Sequence, residues 1–358
     1  MRKTALITGI AGQDGAYLAE FLLGKGYVVH GLVRWDSYPD PAEGLARLRE
    51  LDLLDGRVRI HQGDVTDALA LARVIKEVAP DEVYNLAALS QVGVSFDTPA
   101  STMEINTKGT LAVLEAVRVL GMEKRVRIYQ ASSSEMFGSA PAPQTEQTPF
   151  EPCSPYGVSK LSSYWLARTY RDSYGMFVSN GILFNHESPQ RGEDFVTRKI
   201  TRAAVAMEAG RGDVLRLGNL DAVRDWGHAR DYVRGMWMIL NHGRADDFVL
   251  ATGRSYTVRD FVEAAYGFVG VRLKWGGEGL DEVGKNARTG KVLVRVDPQF
   301  FRPKDVHYLL GDARKAQREL GWRPEYGFEA LVADMVNADR ALSHQHESSG
   351  AEAWRQSA

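Results

Sequence analysis

Three glycines, Gly9, Gly12 and Gly15, follow a short apolar run near the start of the chain and precede an amphipathic segment. The run from Thr4 to Thr8 predicts a buried strand, and the segment from about Asp14 to Gly24 predicts a helix. A glycine turn between a strand and a helix lets the backbone approach a pyrophosphate, which the helix N-terminus then stabilises. This feature therefore predicts a fold that binds a dinucleotide.

Strand-like and helix-like segments alternate along the first half of the chain. Further strands are predicted at 27–33, 58–61, 82–86, 126–130 and 177–183, and further helices at 69–78, at 106–119 and from Tyr156 onward. Such alternation is typical of the α/β class, and we expect a Rossmann-like, doubly wound parallel sheet with helices on both faces. Residues 35–55 break the rhythm and predict a loop with a short helix.

The alternation weakens after about residue 185, which indicates a second and smaller domain. We expect an NADP-binding Rossmann domain over residues 1–184, to which segments near 219–250 return. Residues 185–342 are expected to form a substrate-binding domain of mixed helices and strands. Residues 343–358 are polar and lack apolar periodicity, so a disordered tail is predicted there.

The composition excludes several classes of protein. A net charge of -2 argues against a nucleic-acid or membrane-surface binder, so anionic ligands must be met by local arginines and lysines. No segment approaches the length of a transmembrane helix, and the first apolar run is too short for a secretory signal, so we expect a cytoplasmic protein. Cys153 is the only cysteine, which excludes an intrachain disulfide and a thiolate metal cluster, and no metal site is predicted.

The residues after the second predicted strand bear on the choice between NADP and NAD. An arginine at this place accommodates the 2′-phosphate of NADP, whereas an acidic residue binds the 2′-hydroxyl of NAD. Arg34 comes first and Ser37 can add a hydroxyl, so the sequence favours NADP. Asp36 keeps NAD open as the alternative.

A tyrosine and a lysine four residues apart, Tyr156 and Lys160, share one face of a helix that Ser154 caps and Pro155 begins. We expect the lysine ammonium to lower the pKa of the tyrosine. The tyrosine can then take a proton from a sugar hydroxyl while a nicotinamide takes the hydride. Glu135 adds a second base, which alcohol oxidation alone does not require.

These residues belong to a longer set of motifs. They include Gly12-Gln13-Asp14-Gly15, Asn185-His186-Glu187-Ser188-Pro189, Phe195-Val196-Thr197-Arg198-Lys199, the segment 218–227 and Phe301-Arg302-Pro303. With them the chain, from Thr8 to about Ala341, resembles the extended short-chain dehydrogenase/reductases, and among these the GDP-mannose 4,6-dehydratases. A lone Glu135 after Ser134 is the pattern of that group, since dTDP-glucose dehydratases carry an Asp-Glu pair and epimerases lack the carboxylate.

The resemblance implies a redox-neutral reaction that makes GDP-4-keto-6-deoxy-mannose from GDP-mannose. Tyr156 is the implied base for the C4 hydroxyl, and Lys160 lowers its pKa and holds the nicotinamide ribose. Ser133, where the family usually has threonine, bonds the C4 oxygen. Glu135 removes the C5 proton, which the C4 ketone acidifies. Water leaves across C5 and C6, the hydride returns to C6, and NADP stays bound.

The resemblance also implies the binding residues. For the cofactor they are Gly9, Gly12, Gln13, Asp14, Gly15, Arg34, Asp64, Val65, Leu86, Ala87, Ala88, Ser90, Tyr156, Lys160, His186 and Arg191. For the substrate they are Ser90, Ser133, Glu135, Asn185, Lys199, Gly218, Arg224 and Arg302. Arginine suits the diphosphate because it can donate two hydrogen bonds to one phosphate.

A homo-oligomer is implied as well. Trp35 and Asp36 depart from the Arg-Arg-Ser-Ser segment that reaches a neighbouring subunit in tetrameric members, so dimer and tetramer both stay open.

Three other functions remain alternatives. Dehydration of GDP-manno-heptose requires the same residues, and Ser133 leaves the choice of sugar open. An oxidoreductase or epimerase acting on another nucleotide sugar needs no counterpart of Glu135. A non-enzymatic nucleotide-sugar sensor would keep the glycine turn without needing the Tyr-Lys-Glu set.

Overall fold

The alternating strands of the first half pair as one parallel sheet in the computed structural model, which describes residues 2–34, 44–302 and 304–356. Its strands are β1 (Thr4–Thr8), β2 (Val28–Val33), β3 (Val58–Gln62), β4 (Glu82–Asn85), β5 (Arg127–Ser133), β6 (Phe177–Leu183) and β11 (Asp247–Leu250). Their order is β11-β6-β5-β4-β1-β2-β3, and each neighbouring pair runs parallel. The order reverses between β1 and β4, where open α/β sheets bind ligands beyond the strand ends.

Helices cover both faces of this sheet. They are Gln13–Gly24, Ala46–Glu50, Ala68–Val78, Val94–Asp97, Pro99–Met103, Gly109–Val119, Pro155–Tyr174 and Ala229–Leu240. Side chains alternate between the two faces along β1: Ile7 packs in the apolar core beneath the first helix, and Leu6 packs in the core on the opposite side. The doubly wound α/β fold predicted from the alternation is thus confirmed.

The helix predicted at 106–119 is longer in the structure. A helix at Pro99–Met103 and a π-helical turn at Glu104–Lys108 lead directly into Gly109–Val119. Pro99 stands at the start of this run, where its fixed φ favours a helix and its missing N–H costs nothing. The start was placed too late because the first turns carry few apolar residues in helical spacing.

The second half builds a separate core around a smaller sheet. That sheet contains β8 (Leu215–Leu217), β13 (Leu273–Gly276), β14 (Val283–Asn286) and β15 (Val292–Val296), in the order β13-β14-β15-β8. Two short pairs join β7 (Asn185–Glu187) with β10 (Trp226–His228) and β9 (Val223–Arg224) with β12 (Tyr256–Thr257). Helices Val196–Glu208, Val258–Phe268, Arg314–Leu320 and Phe328–Gln356 complete the chain.

The chain returns to the main sheet after it has entered the second half. Helix Ala229–Leu240 packs on the first helix, and β11 pairs with β6 at the sheet edge. Both lie within residues 219–250, where segments returning to the first domain were expected.

Residues 343–356, within the expected disordered tail, are instead helical in the structure. The last helix begins at Phe328 and continues to Gln356. Leu331, Val332 and Met335 are buried and hold its first turns against the second core. Once a helix is nucleated in this way, each further residue adds a hydrogen bond, so polar residues extend it without an apolar face. None of the helices in the described part of the chain is long and apolar enough to cross a membrane.

Candidate active site

One cleft of about 1360 Å³ lies between the carboxyl edge of the parallel sheet and the second half of the chain. Every residue predicted to take part in the site lines it: Gly9, Gly12, Gln13, Asp14, Gly15, Arg34, Asp64, Val65, Leu86, Ala87, Ala88, Ser90, Ser133, Glu135, Tyr156, Lys160, Asn185, His186, Arg191, Lys199, Gly218, Arg224 and Arg302. The structure thus brings together residues that are far apart in the sequence.

The glycine turn at the sheet edge needs glycine for two different reasons. Gly9 has a φ of +71°, and a Cβ there would lie 2.9 Å from the backbone of Ala87. A Cβ on Gly15 would lie 2.4 Å from the Gly9 carbonyl oxygen. The turn can therefore bring its backbone close to a ligand at the N-terminus of helix Gln13–Gly24, a geometry that fits a pyrophosphate.

Asp14 and His186 form an ion pair across this end of the cleft. The Oδ2 of Asp14 lies 2.8 Å from Nε2 of His186, whose Nδ1 lies 2.7 Å from the Phe184 carbonyl oxygen. Both ring nitrogens thus face acceptors, which favours the imidazolium. Burial lowers the pKa of His186, but the Asp14 carboxylate outweighs it and raises the pKa above its ordinary value. Burial raises the pKa of Asp14, yet His186 brings it below its usual range.

The helix that carries Tyr156 and Lys160 begins as predicted. Pro155 is its first residue, and Ser154 caps it by accepting a hydrogen bond from the Gly157 amide at 3.0 Å. Tyr156 and Lys160 are both buried on its first turns. The lysine Nζ donates to the Ala131 carbonyl oxygen at 2.9 Å, at the end of β5.

The predicted lowering of the pKa of Tyr156 is wrong for this structure. Burial raises the pKa of Tyr156 to about 12; the Ser133 hydroxyl opposes this rise, and the Glu135 carboxylate adds to it. The Lys160 ammonium is directed to the Ala131 carbonyl and lies 5.8 Å from the tyrosine ring centre. Burial lowers the pKa of Lys160 to about 8, so its charge is itself sensitive to pH.

Glu135 is a buried carboxylate with an unsatisfied oxygen. It lies in a short 3-10 turn directly after β5, where its amide donates to the Ser133 hydroxyl at 3.2 Å. Only 7% of its surface is exposed, and its Oε2 has no hydrogen-bond partner among the described residues. A buried polar atom without a partner is rare in proteins and calls for a ligand or a proton.

Two arginines meet at the opposite end of the cleft. The Nη2 of Arg224 and the Nη1 of Arg302 each lie 3.3 Å from the same Oδ1 of Asp305. Burial holds the pKa of Arg224 below its ordinary value, although the carboxylates of Glu135 and Asp305 act to raise it. Asp305 was not predicted; its only sequence signal is its position three residues after Arg302.

The predicted substrate-binding residues Asn185, Lys199 and Gly218 also line this cleft. The Nζ of Lys199 lies 4.8 Å from the ring centre of Phe300, and a Cβ on Gly218 would lie 2.5 Å from the Phe300 carbonyl oxygen. The Oδ1 of Asn185 is buried and lacks a partner within the described ranges. Gly218 therefore cannot carry a side chain here, and Asn185 has an acceptor available for a ligand.

The adenosine end of the predicted cofactor site is only partly described. Arg34 is exposed at the end of β2, while Trp35, Asp36 and Ser37 lie outside the described residues. Asp64 follows β3, and its Oδ1 accepts hydrogen bonds from the amide and hydroxyl of Thr66, both at 2.8 Å.

The neighbouring residues of this end are held by the fold. Val65 is buried so closely against the start of helix Gly109–Val119 that a Cβ on Gly109 would lie 2.8 Å from its side chain. The Leu86 and Ala87 amides bond the Thr8 hydroxyl at 3.1 and 3.2 Å. Ala88 and the exposed Ser90 continue along the cleft, as the resemblance implies.

Arg47 lines the cleft and was missed by the sequence analysis. Its Nε donates to the Gln190 carbonyl oxygen at 2.7 Å, and its Nη1 donates to the Ala11 carbonyl oxygen at 3.2 Å. It lies in the short helix of the irregular segment, where no periodicity marked it. Arg191, which was predicted, pairs with Glu187 at 3.0 Å.

Comparison with known proteins finds relatives that share one name and match almost the whole chain. A family model described as GDP-mannose 4,6 dehydratase matches residues 6–335. A GDP-mannose 4,6-dehydratase of Sinorhizobium fredii is 54% identical over 339 residues, covering 94% of this chain and 97% of the relative. The Homo sapiens protein of that name is 48% identical over 347 residues, covering 95% and 92%.

A solved structure gives the fold independently. The UDP-glucose 4-epimerase of Thermus thermophilus in complex with NAD superposes with a TM-score of 0.77 at 24% identity, covering 94% of this chain and 99% of the epimerase. The resemblance and the fold class inferred from the sequence are thus confirmed.

Proposed function

The chain belongs to the GDP-mannose 4,6-dehydratase family, and on that premise we propose that it is a lyase converting GDP-mannose to GDP-4-keto-6-deoxy-mannose with NADP as internal hydride carrier. The buried Oε2 of Glu135, which has no hydrogen-bond partner in the part of the chain that the structure describes, carries the proposal. Oxidation at C4 needs the hydroxyl and phenol of Ser133 and Tyr156, but it has no use for a second base beside them. Elimination of water across C5 and C6 requires that second base, because the C5 proton must be removed.

The first step belongs to Tyr156. Its ionised form, the phenolate, accepts the proton of the C4 hydroxyl, directly or through the Ser133 hydroxyl, whose interaction with Tyr156 opposes the rise of the tyrosine pKa. Lys160, one turn further along the same helix and fixed by Ala131, supplies positive charge beside the reacting oxygen while it is protonated. When bound, the cofactor supplies the hydride acceptor and later the hydride donor.

The second step belongs to Glu135. A ketone at C4 acidifies the proton on C5, and a carboxylate can then remove it. The C6 hydroxyl leaves with a proton as water, so the C5 proton held on Glu135 is available to the leaving oxygen. Glu135 becomes a carboxylate again when it gives that proton to the leaving oxygen. When the hydride returns to C6, C5 takes up a proton, which balances the proton that Tyr156 took from the C4 hydroxyl, so that the net change is the loss of one water.

The nucleotide end of the substrate is assigned to the cationic groups of the second half. Arg224, Arg302 and Lys199 can contact the diphosphate, since arginine forks match phosphate oxygens and lysine adds a point charge. Asp305, which the two arginines share, holds them at one place in the cleft. Substrate phosphate therefore meets arginines that are already oriented.

The test is turnover without added cofactor. Purified enzyme and GDP-mannose should yield an alkali-labile keto sugar with no NADP supplied, because the cycle returns its hydride. GDP-manno-heptose run in parallel tests the near alternative, and UDP-glucose serves as the control substrate. No keto sugar from GDP-mannose would contradict the substrate assignment, and efficient turnover of the heptose alone would replace it.

NADP in preference to NAD is part of the proposal. Arg34 supports it, since it stands at the end of β2 on the wall of the cleft, the position from which a 2′-phosphate is read. The nucleotide released when the purified protein is denatured should be NADP(H). Arg34→Ala should shift the bound pool toward NAD(H), while Arg2→Ala, outside the cleft, should not. NAD(H) in the wild-type protein would instead favour Asp36 as the reader.

A homo-oligomer, dimer or tetramer, is also proposed. Its support is a set of large apolar side chains exposed on two neighbouring helices, Gly109–Val119 and Pro155–Tyr174. Leu111 and Val119 lie on the first, and Val158 and Trp165 on the second. Patches of this kind mark association surfaces. The mass in solution, measured by light scattering, distinguishes monomer, dimer and tetramer.

A further inference from the structure

A short segment, residues 185–191, forms one wall of the cleft. It contains β7 and the turn that follows, and Asn185, His186, Glu187 and Arg191 face the cleft space. Across from it lies the glycine turn at the end of β1. A dinucleotide in this cleft would lie between the two walls, so contacts that connect them bear on how the ligand enters and leaves.

The first connection is made from the start of helix Gln13–Gly24. Beside the Asp14–His186 ion pair, the Nε2 of Gln13 donates to the His186 carbonyl oxygen at 3.1 Å. The Oε1 of Gln13 accepts from the Ser188 hydroxyl at 2.7 Å. Gln13 and Ser188 are buried, so these bonds do not compete with bulk water. One end of segment 185–191 is thus attached to the glycine turn.

The second connection is Arg47. One guanidinium donates both to Gln190 in the segment and to Ala11 in the glycine turn, at 2.7 and 3.2 Å. The Gln190 side chain also donates to Glu50, one turn along the same short helix, at 2.8 Å. Two donors with fixed directions allow arginine to hold two carbonyl oxygens at once, which a lysine ammonium on a flexible stem cannot reproduce.

We propose that Arg47, together with the Asp14–His186 pair, is a positioning residue that closes segment 185–191 onto the glycine turn and retains the dinucleotide between turnovers. The identity of the retained ligand rests on the proposed function. A cycle that returns its hydride requires no release of the carrier, and a bridge between the two walls of its cleft slows that release. Arg47 acts through the backbone of both walls, and no contact with the reacting atoms is needed.

The experiment measures retention of nucleotide, not turnover. Wild type, Arg47→Ala, Arg47→Lys and Arg49→Ala are passed through gel filtration, and the nucleotide bound per chain is determined after denaturation. Dissociation is then followed by exchange against labelled NADP. Arg49 is the matched control, because it carries the same charge on the same short helix and is exposed.

We expect Arg47→Ala to release the nucleotide about 10-fold faster than wild type, the effect of removing charge-assisted hydrogen bonds. Arg47→Lys should give a release rate between those of wild type and Arg47→Ala, since the lysine ammonium keeps the charge but not the fixed directions of the two guanidinium donors. Arg49→Ala should match wild type. Thermal unfolding checks that each variant is folded, and if Arg47→Ala is not, Arg47→Lys against Arg49→Ala decides the question.

Equal release rates for the Arg47 variants and Arg49→Ala overturn the proposal. So does a wild-type protein that exchanges its nucleotide as fast as Arg47→Ala. Failure of the function assigned above looks different: the wild type retains its nucleotide, the Arg47 variants lose it, and GDP-mannose is not dehydrated. In that outcome the closure stands and the substrate assignment falls.

Discussion

Glu135→Gln should lose GDP-mannose dehydration by about 10²–10⁴-fold, the range of a general base, while C4 oxidation continues. The amide keeps the size of the carboxylate but cannot accept the C5 proton. Oxidation at C4 depends on Tyr156 and Ser133, which the substitution leaves in place. Reduced nucleotide should therefore accumulate on the variant when GDP-mannose is added, and absorbance of the bound nicotinamide measures it.

The C5 proton gives the sharper readout for this variant. Exchange of C5 with deuterium from solvent should be lost in Glu135→Gln and retained in Glu77→Gln, a control that removes an exposed carboxylate on helix Ala68–Val78. Unimpaired exchange at C5 in the Glu135 variant would remove this residue from its assigned role. Loss of C4 oxidation together with exchange would show a general disturbance of the site.

Tyr156→Phe should slow both steps, with turnover lower by about 10²–10⁴-fold. Without the phenol oxygen no group takes the C4 proton, and without the ketone the C5 proton is not acidified. The two variants therefore report an order of events: Tyr156→Phe loses nicotinamide reduction and C5 exchange, whereas Glu135→Gln loses only the latter. Single-turnover absorbance and deuterium incorporation measure the two steps separately.

The pH dependence of C4 oxidation distinguishes a catalytic role of Tyr156 from a structural one. Because burial raises the pKa of Tyr156 to about 12, the phenol is neutral near pH 7 and its ionised fraction grows as pH rises. C4 oxidation should accordingly speed up with pH in Glu135→Gln, until Lys160, whose pKa burial lowers to about 8, loses its charge. Tyr156→Phe should show no such rise, and Tyr308→Phe, an exposed tyrosine, should behave as wild type. A residual rise in Tyr156→Phe would assign the base elsewhere.

Local patterns were enough to predict the parts of the site that depend on neighbours in the chain. The glycine turn requires a positive φ at Gly9 and close backbone approach, which few other residues satisfy. The Ser154-Pro155 start fixes where helix Pro155–Tyr174 begins, and its 3.6-residue period puts Tyr156 and Lys160 on one face. The glycine turn and the helix start thus depend on residues that are neighbours in the sequence.

Tertiary contacts explain what the sequence could not show. Arg47 and Asp305 act through partners 143 positions away at Gln190 and 81 positions away at Arg224, and no local spacing reveals such pairs. The pKa of Tyr156 was predicted from one lysine, but burial and the Glu135 carboxylate decide it in the structure. The last helix was missed because its attachment to the second core, and not its own pattern, makes it helical.

The pairing of β11 with β6 has a consequence for folding during synthesis, because β6 is made well before β11. When β6 emerges, its outer edge is a row of unpaired amides and carbonyls, a surface open to association with other strands. The strand that covers it is formed by Asp247–Leu250, after the chain has built β7 to β10 and part of the second half. A nascent or truncated chain ending before residue 247 therefore presents an open edge. The N-terminal half alone therefore lacks the strand that completes its sheet.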